Sequence, residues 1–153
     1  MIRLFRESDL IPLHRMICDT IEASYSTVYP PRAVEFFKEY HSEKRIAERS
    51  VVGKILVVEE DDSILATGSL VGAEIAGVFV HPAHQGQGYG KAIMVELERR
   101  AKAKGLSEVS LSVSLPSRKF YEHLGYNMLG ENALDVGDDQ YLNYWPGQKT
   151  LSS

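Results

Sequence analysis

Val78-Phe79-Val80-His81-Pro82-Ala83-His84-Gln85-Gly86-Gln87-Gly88-Tyr89-Gly90-Lys91 decides the fold. An apolar, strand-like run stops at Pro82, a loop with glycines at alternate positions follows, and an amphipathic helical pattern begins behind it. That order builds an anion site. Glycines let the backbone curl until successive N–H groups face one concavity, and the next helix adds its unpaired N–H groups and positive dipole end. The matching guest is a phosphate or pyrophosphate. Two familiar phosphate loops do not fit. A P-loop needs Gly and Ser or Thr where Gln85 and Ala92 stand around Gly90-Lys91. The dinucleotide fingerprint would require Gly at Lys91 and a place after the first strand, whereas this loop lies past mid-chain.

Composition narrows the class. With 153 residues, 44% of them hydrophobic, one domain over residues 1–153 is the default, and the apolar content suffices for a core. A net charge of −4 argues against nucleic acid as the main partner. Cys18 is the single cysteine, so no internal disulfide framework and no cysteine metal cluster is expected, and no metal is called for. Arg3, Arg6, Glu7 and Asp9 interrupt any N-terminal apolar run, so neither a signal peptide nor a membrane span is expected. The expectation is a soluble, cytoplasmic protein.

Along the chain, Ile2 to Phe5 reads as a short strand. Ser8 would cap a helix with Leu10, Leu13, Ile17 and Ile21 on its apolar face, and Cys18 beside that face reads as a small packed residue. Tyr25 to Pro31 breaks this helix, and Pro31 opens another with Val34 and Phe37 inward. Lys54 to Glu60 and Ile64 to Val71 form a hairpin across Glu60-Asp61-Asp62-Ser63. Glu74 then leads into the strand Ile75 to Val80 as the next member of an antiparallel meander. Behind the glycine loop, a helix points Ile93, Met94, Leu97 and Ala101 inward and stops at Gly105, its charges forming a solvated face. Val109, Leu111 and Val113 alternate with serines, a strand expected to lie parallel to Ile75–Val80 after a crossover. Weak strand patterns at Tyr126–Gly130 and Gln140–Trp145 are joined by a loop, and residues 146–153 read as a loose tail.

The second informative stretch is Ser114-Leu115-Pro116-Ser117-Arg118-Lys119-Phe120-Tyr121-Glu122-His123-Leu124-Gly125-Tyr126. Ser114 and Pro116 suit a helix start and Gly125 its end. Gln85, Gly88 and Gly90 spell Q-x-x-G-x-G behind Val-Phe-Val-His-Pro, which resembles the acetyl-CoA signature of the GNAT superfamily of N-acetyltransferases. Phe120, Tyr121, Gly125 and Tyr126 resemble that family's second motif, N-x-x-A-x-x-F-Y-x-x-x-G-F. Ser114 and Ser117 depart from it where Asn and Ala are common.

The resemblance implies an α/β (α+β) fold with a mixed, mostly antiparallel central sheet, a splayed pair of parallel strands, and flanking helices. It implies acetyl-CoA as cosubstrate, its pantetheine lying between the splayed strands. By position, Val78, Phe79 and Val80 would meet the pantetheine, while Gln85, Gly86, Gln87, Gly88, Tyr89, Gly90 and Lys91 would wrap the pyrophosphate. Lys91 adds charge there or is a solvated helix lysine. Ser114, Ser117 and Tyr121 complete the expected cofactor site. Tyr121 occupies the position of the family's usual general acid, or is a helix residue packing against the cofactor; Glu74 stands where the family often places a base acting through water, or is a surface glutamate at a strand start. Tyr25 and Tyr29, between the first two helices, would line the acceptor site, or serve as ordinary half-buried tyrosines. His81 reads as structural and His84 as solvent-facing. The implied reaction is N-acetylation of a primary amine, on a small molecule or a peptide. Homodimers are common in the family, yet nothing in this sequence specifies an interface. Two other readings remain: a non-catalytic acyl-CoA-binding regulatory module, and a partner-binding domain whose glycine loop is only a turn.

Overall fold

Asp61 and Asp62 both take positive φ, 49° and 62°, the conformation a two-residue hairpin turn of the primed type requires. They join Lys54–Glu60 (β2) to Ser63–Val71 (β3), paired antiparallel as the acidic turn predicts. The computed structural model describes residues 1–152. Ile2–Leu4 (β1) extends the hairpin on one side, and Glu74–Val80 (β4) pairs antiparallel with β3 on the other. Glu108–Ser114 (β5) runs parallel to β4, and Gln140–Thr150 (β8) lies antiparallel to β5. The strand order is β1-β2-β3-β4-β5-β8-β6, with β6 at Asn127–Met128 and Asn132–Gly137 (β7) also pairing β8. The sheet is therefore mixed and mostly antiparallel with one parallel pair, as expected.

Alternation along β2 assigns the two faces. Ile55 and Val57 join a core with Leu13, Ile17 and Ile21 of Leu10–Tyr25 (α1), while Leu56 and Val58 face the other way. On that second face Ile93, Met94 and Leu97 of Tyr89–Ala103 (α4) are fully buried, the apolar stripe read from the sequence. Gly68 in β3 makes this contact possible, because a Cβ there would stand 2.5 Å from an Ile93 methyl. Pro31–Tyr40 (α2) and Glu43–Val52 (α3) lie on the α1 face; Arg118–His123 (α5) follows β5.

Four expectations need correction. Ser8 does not cap α1; it lies in a 3₁₀ turn at Glu7–Asp9. Ser114 makes no cap either, because Leu115–Ser117 forms a 3₁₀ turn before α5. The loop expected before Gln140 contains β7, joined to β8 by Asp138 and Asp139 at φ 54° and 57°, a repeat of the Asp61-Asp62 turn. The tail is not loose through Thr150: β8 pairs to the end of β5 (Glu108↔Thr150), and Leu151 is buried with its N–H bonded to the Ser107 carbonyl at 2.8 Å. Apolar burial and a free ladder edge together outweigh the polar look of this segment; Ser153 lies outside the described residues.

The turn before α1 is fixed by charge. Arg3 donates to both carboxylate oxygens of Asp9 at 2.8 and 2.9 Å, and the Arg6 N–H donates to the same group at 2.7 Å. The Arg3 hydrogen bonds hold the Asp9 carboxyl below its ordinary range. This contribution to stability is complete above the unfolded value of about 3.9 and fades as pH falls through the lower folded value. Asp9→Asn should therefore lower the melting temperature at pH 7, and the gap to wild type should close as the pH of thermal unfolding is taken below about 4. A gap that persists unchanged at low pH would contradict this role.

Candidate active site

The site begins where β4 and β5 part. Their ladder has one register pair, Glu74↔Ser110, reinforced by the Ser110 N–H to the Ala73 carbonyl at 3.0 Å. Beyond it the strands diverge. A bulge in β4 accompanies the divergence: Ala76 faces Ser69 and Phe79 faces Thr67, so β4 spends three steps where β3 spends two. Gly77, at φ +61°, takes the left-handed turn this requires. The His81 N–H bonds to the Leu65 carbonyl of β3, so alternation turns the backbone groups of Val80 toward the gap. The Val80 carbonyl there accepts from the Gln85 side-chain amide at 3.0 Å.

Gly86 and Gly88 take φ of +77° and +88°, and a Cβ on either would meet nothing within 4 Å. Among the described residues no hydrogen bond closes on the N–H groups of residues 85–88. These donors adjoin the N-terminus of α4, whose first-turn N–H groups are also free by helix geometry. Gly90 serves packing instead, since a Cβ would press Phe120 at 3.1 Å and Val80 at 3.3 Å. An open, donor-rich loop on a helix end is the kind of donor set that suits a pyrophosphate.

Two cavities that share lining residues follow the gap. One, of about 480 Å³, is lined by Val78, Phe79, Val80, Gln85, Gly86, Gly88, Tyr89, Gly90 and Lys91, with Ser117 and Tyr121 opposite. Gln87 is not among its lining residues. The other, of about 240 Å³, lies toward α2 and is lined by Glu74, Ser114, His41, Phe36, Tyr40 and Tyr144 among others. Tyr25, Val78, Phe79, Ser117 and Tyr121 border both.

Tyr121 is 6% exposed. Every fully enclosed side-chain nitrogen or oxygen among the described residues has a hydrogen-bond partner. The Tyr121 hydroxyl, which has none, therefore opens on the cavities. Burial, and secondarily Tyr25, pushes its pKa well above the phenol range. Tyr25 is also raised by burial, and its hydroxyl accepts from Ser114 Oγ at 3.1 Å; Ser114 in turn bonds Ser117 at 2.7 Å. Tyr29 lies outside both cavities. Its hydroxyl donates to the Asn143 carbonyl and accepts from the Leu115 N–H, both at 2.8 Å, and burial raises it to about 12. It ties α2's approach to β8 and is committed to that structural work. His81 accepts from the Ala83 N–H through Nδ1, a structural role. Cys18 is half-buried with His14 Nε2 at 3.4 Å, and burial raises its thiol. Among the described residues no group of three or more His, Cys, Asp or Glu could hold a metal, and no helix is long and apolar enough to cross a membrane.

The sequence reading passed over His41. It is 6% exposed, and its ring packs edge-on against Phe79 at 4.9 Å. Its Nδ1 lies 3.2 Å from Arg49 Nη2; a guanidinium only donates, so Nδ1 accepts and the ring proton sits on Nε2. Burial, then the Arg49 charge, lowers its pKa to about 3. The local signal was Ser42, whose Oγ accepts from the Arg45 N–H and starts α3.

The acetyltransferase (GNAT) family model matches residues 14–126. Uncharacterized acetyltransferases of Streptococcus pyogenes serotypes are 26% identical over 87 residues, 54% of this chain and 61% of theirs, so the match spans under two thirds of those relatives. A GCN5-related N-acetyltransferase structure from Rhodopseudomonas palustris superposes with TM-score 0.89 at 21% identity, covering 99% of this chain and 95% of that one. The PaiA N-acetyltransferase of Thermoplasma acidophilum in complex with coenzyme A gives TM-score 0.79 at 20% identity, covering 98% of each chain.

A His41 that binds no proton above about pH 5 should show imidazole NMR shifts constant from pH 8 to 5, in the Nε2–H tautomer. A midpoint near the ordinary 6.5 would contradict the buried, Arg49-bonded geometry. Because the unfolded chain takes up this proton near 6.5, the His41 contribution to stability falls as pH drops from there toward 3.

Proposed function

The chain belongs to the acetyltransferase (GNAT) family, and from that premise we propose that it transfers an acetyl group from acetyl-CoA to a primary amine by direct attack on the thioester. The observation that carries this reading is the β4–β5 gap, with partnerless N–H groups at one end and an aromatic chamber at the other. The coenzyme A of the Thermoplasma neighbour supports the choice of ligand. Acetyl-CoA supplies an activated acyl group whose sulfur departs as a thiolate and then takes up a proton equivalent to the one the amine releases.

In this reading the loop at residues 85–91 and the α4 N-terminus hold the pyrophosphate, with N–H groups doing most of the binding. Val78 and Val80 hold the pantetheine by backbone groups, and the Val80 N–H polarises the thioester carbonyl. An amine of pKa roughly 10 is about one part in a thousand neutral at pH 7, a deficit of about 4 kcal/mol. A base path is therefore needed beside proximity. Glu74 lines the acceptor chamber but starts β4, four residues from Val78, so it takes the proton through water. As the nitrogen–carbon bond forms and the carbon–sulfur bond breaks, Tyr121 donates a hydrogen bond to the leaving sulfur. Its raised pKa makes full proton transfer to a thiolate of pKa about 8.5 uphill, so it acts chiefly by hydrogen bonding.

Tyr121→Phe should lower kcat about tenfold to hundredfold without abolishing turnover, the worth of one hydrogen bond to a developing charge. Glu74→Gln should lower kcat/KM about a hundredfold with the acetyl-CoA KM little changed. Thiol release against an amine panel checks both. Acetyl-CoA at about 100 times its dissociation constant adds roughly 2.7 kcal/mol to stability; Gly88→Glu should remove the resulting rise in melting temperature. Ligand stabilisation with both active-site variants behaving as wild type would favour a non-catalytic acyl-CoA module. No stabilisation at all would favour the partner-binding alternative.

A further inference from the structure

A cation stands behind the wall of the acceptor chamber. Arg49, on α3, is half-buried behind Gly77 and His41, and no carboxylate lies within ion-pair distance of it among the described residues. Its Nη2 donates to the Tyr40 carbonyl at 3.5 Å and to His41 Nδ1 at 3.2 Å. Its Nη1 stands 2.7 Å from where a Gly77 Cβ would be, so the glycine of the bulge is also what lets the guanidinium approach the chamber wall. Burial lowers its pKa, with Arg45 adding to the effect and Tyr40 and Glu74 opposing it, the direction expected for a cation without a carboxylate in ion-pair contact. A partly desolvated cation of this kind is stabilised by whatever anion reaches it.

His41 carries that field into the cavity. With Nδ1 accepting from Arg49, its Nε2–H is the free donor, and no protein group takes it among the described residues. A second guanidinium, Arg45, lies 5.6 Å over the Tyr40 ring at the same wall. Glu74 is the carboxylate among the lining residues. The mouth is apolar: Phe36 and Tyr40 stack at 6.1 Å and are 38% and 39% exposed. A volume of about 240 Å³ holds roughly eight waters. That is room for a small molecule, not for a large polycation.

We propose that His41 Nε2–H, backed by Arg49, binds the carboxylate of the acceptor, so that the amine acetylated here belongs to an amino acid with an apolar or aromatic side chain. This rests on the acetyltransfer reading and adds the substrate class. The amino group meets the Glu74 side of the chamber, the carboxylate meets His41, and the side chain packs on the Phe36–Tyr40 stack. His41 and Arg49 are thus specificity residues with no part in moving the proton.

The test compares L-phenylalanine with 2-phenylethylamine, which lacks only the carboxylate, as acceptors in thiol release and as ligands in calorimetric titration with coenzyme A present. L-Phenylalanine should be favoured about tenfold to hundredfold in kcat/KM, the range for a hydrogen bond to a charged group. Arg49→Met and His41→Phe should each reduce that ratio about tenfold, through KM more than kcat, and Arg49→Lys should restore part of it. The thermal shift with acetyl-CoA should persist in all three, which separates a lost carboxylate site from a misfolded chain. Equal or better use of 2-phenylethylamine by the wild type, or a ratio untouched in both variants, would overturn the proposal while leaving acetyltransfer intact. Calorimetric binding of L-phenylalanine weakened by Arg49→Met, with no thiol release from any amine, would uphold the carboxylate site and sink acetyltransfer. Absence of both binding and turnover for L-phenylalanine would overturn the proposal outright.

Discussion

Everything at the candidate site depends on two parallel strands that meet once and then separate. A parallel pair placed inside an otherwise antiparallel sheet would normally zip along its length and satisfy its backbone groups. Here β4 is held from one side by β3 and β5 from the other by β8, through long antiparallel ladders. Each strand is therefore anchored without help from the other. The bulge at Gly77 turns β4 away after the Glu74↔Ser110 contact. The unsatisfied edge that results is normally a liability in a sheet, and in the proposed function it becomes the place where an extended amide-bearing ligand completes the ladder.

Charge and burial then divide the labour around the gap. The glycine-loop end offers neutral N–H donors and a helix terminus. The middle is lined by Tyr25 and Tyr121, both raised by desolvation and so kept as neutral hydrogen-bonding groups. The far chamber holds a neutral histidine pinned in one tautomer by an arginine. The same Gly77 that opens the strands also admits that arginine, so strand divergence and chamber electrostatics share one residue.

The central architecture was legible because its signals are local. The acidic turn at Glu60-Asp61-Asp62-Ser63, the strand pattern at Lys54 to Glu60, the α4 stripe and the glycine loop each specify structure within a few residues. What escaped depends on distant partners. Nothing near Leu151 reveals that Ser107 and β5 will receive it, and β7 is an exposed strand whose pattern is weak except for Asp138-Asp139. Tyr25 and Tyr29 look alike in sequence; only the fold sends one to the cavities and the other to Asn143 and Leu115. His41 lay between two helices, and its meaning comes from Arg49, eight positions on.

The most direct measurement is residue-resolved amide hydrogen exchange with and without coenzyme A. The account predicts slowed exchange at Val80 and at Gly86, Gly88 and Gly90, whose N–H groups face the gap and the loop concavity, with β1 and β2 unchanged. Exchange at those four amides left as it was, under ligand concentrations that saturate binding elsewhere, would contradict it.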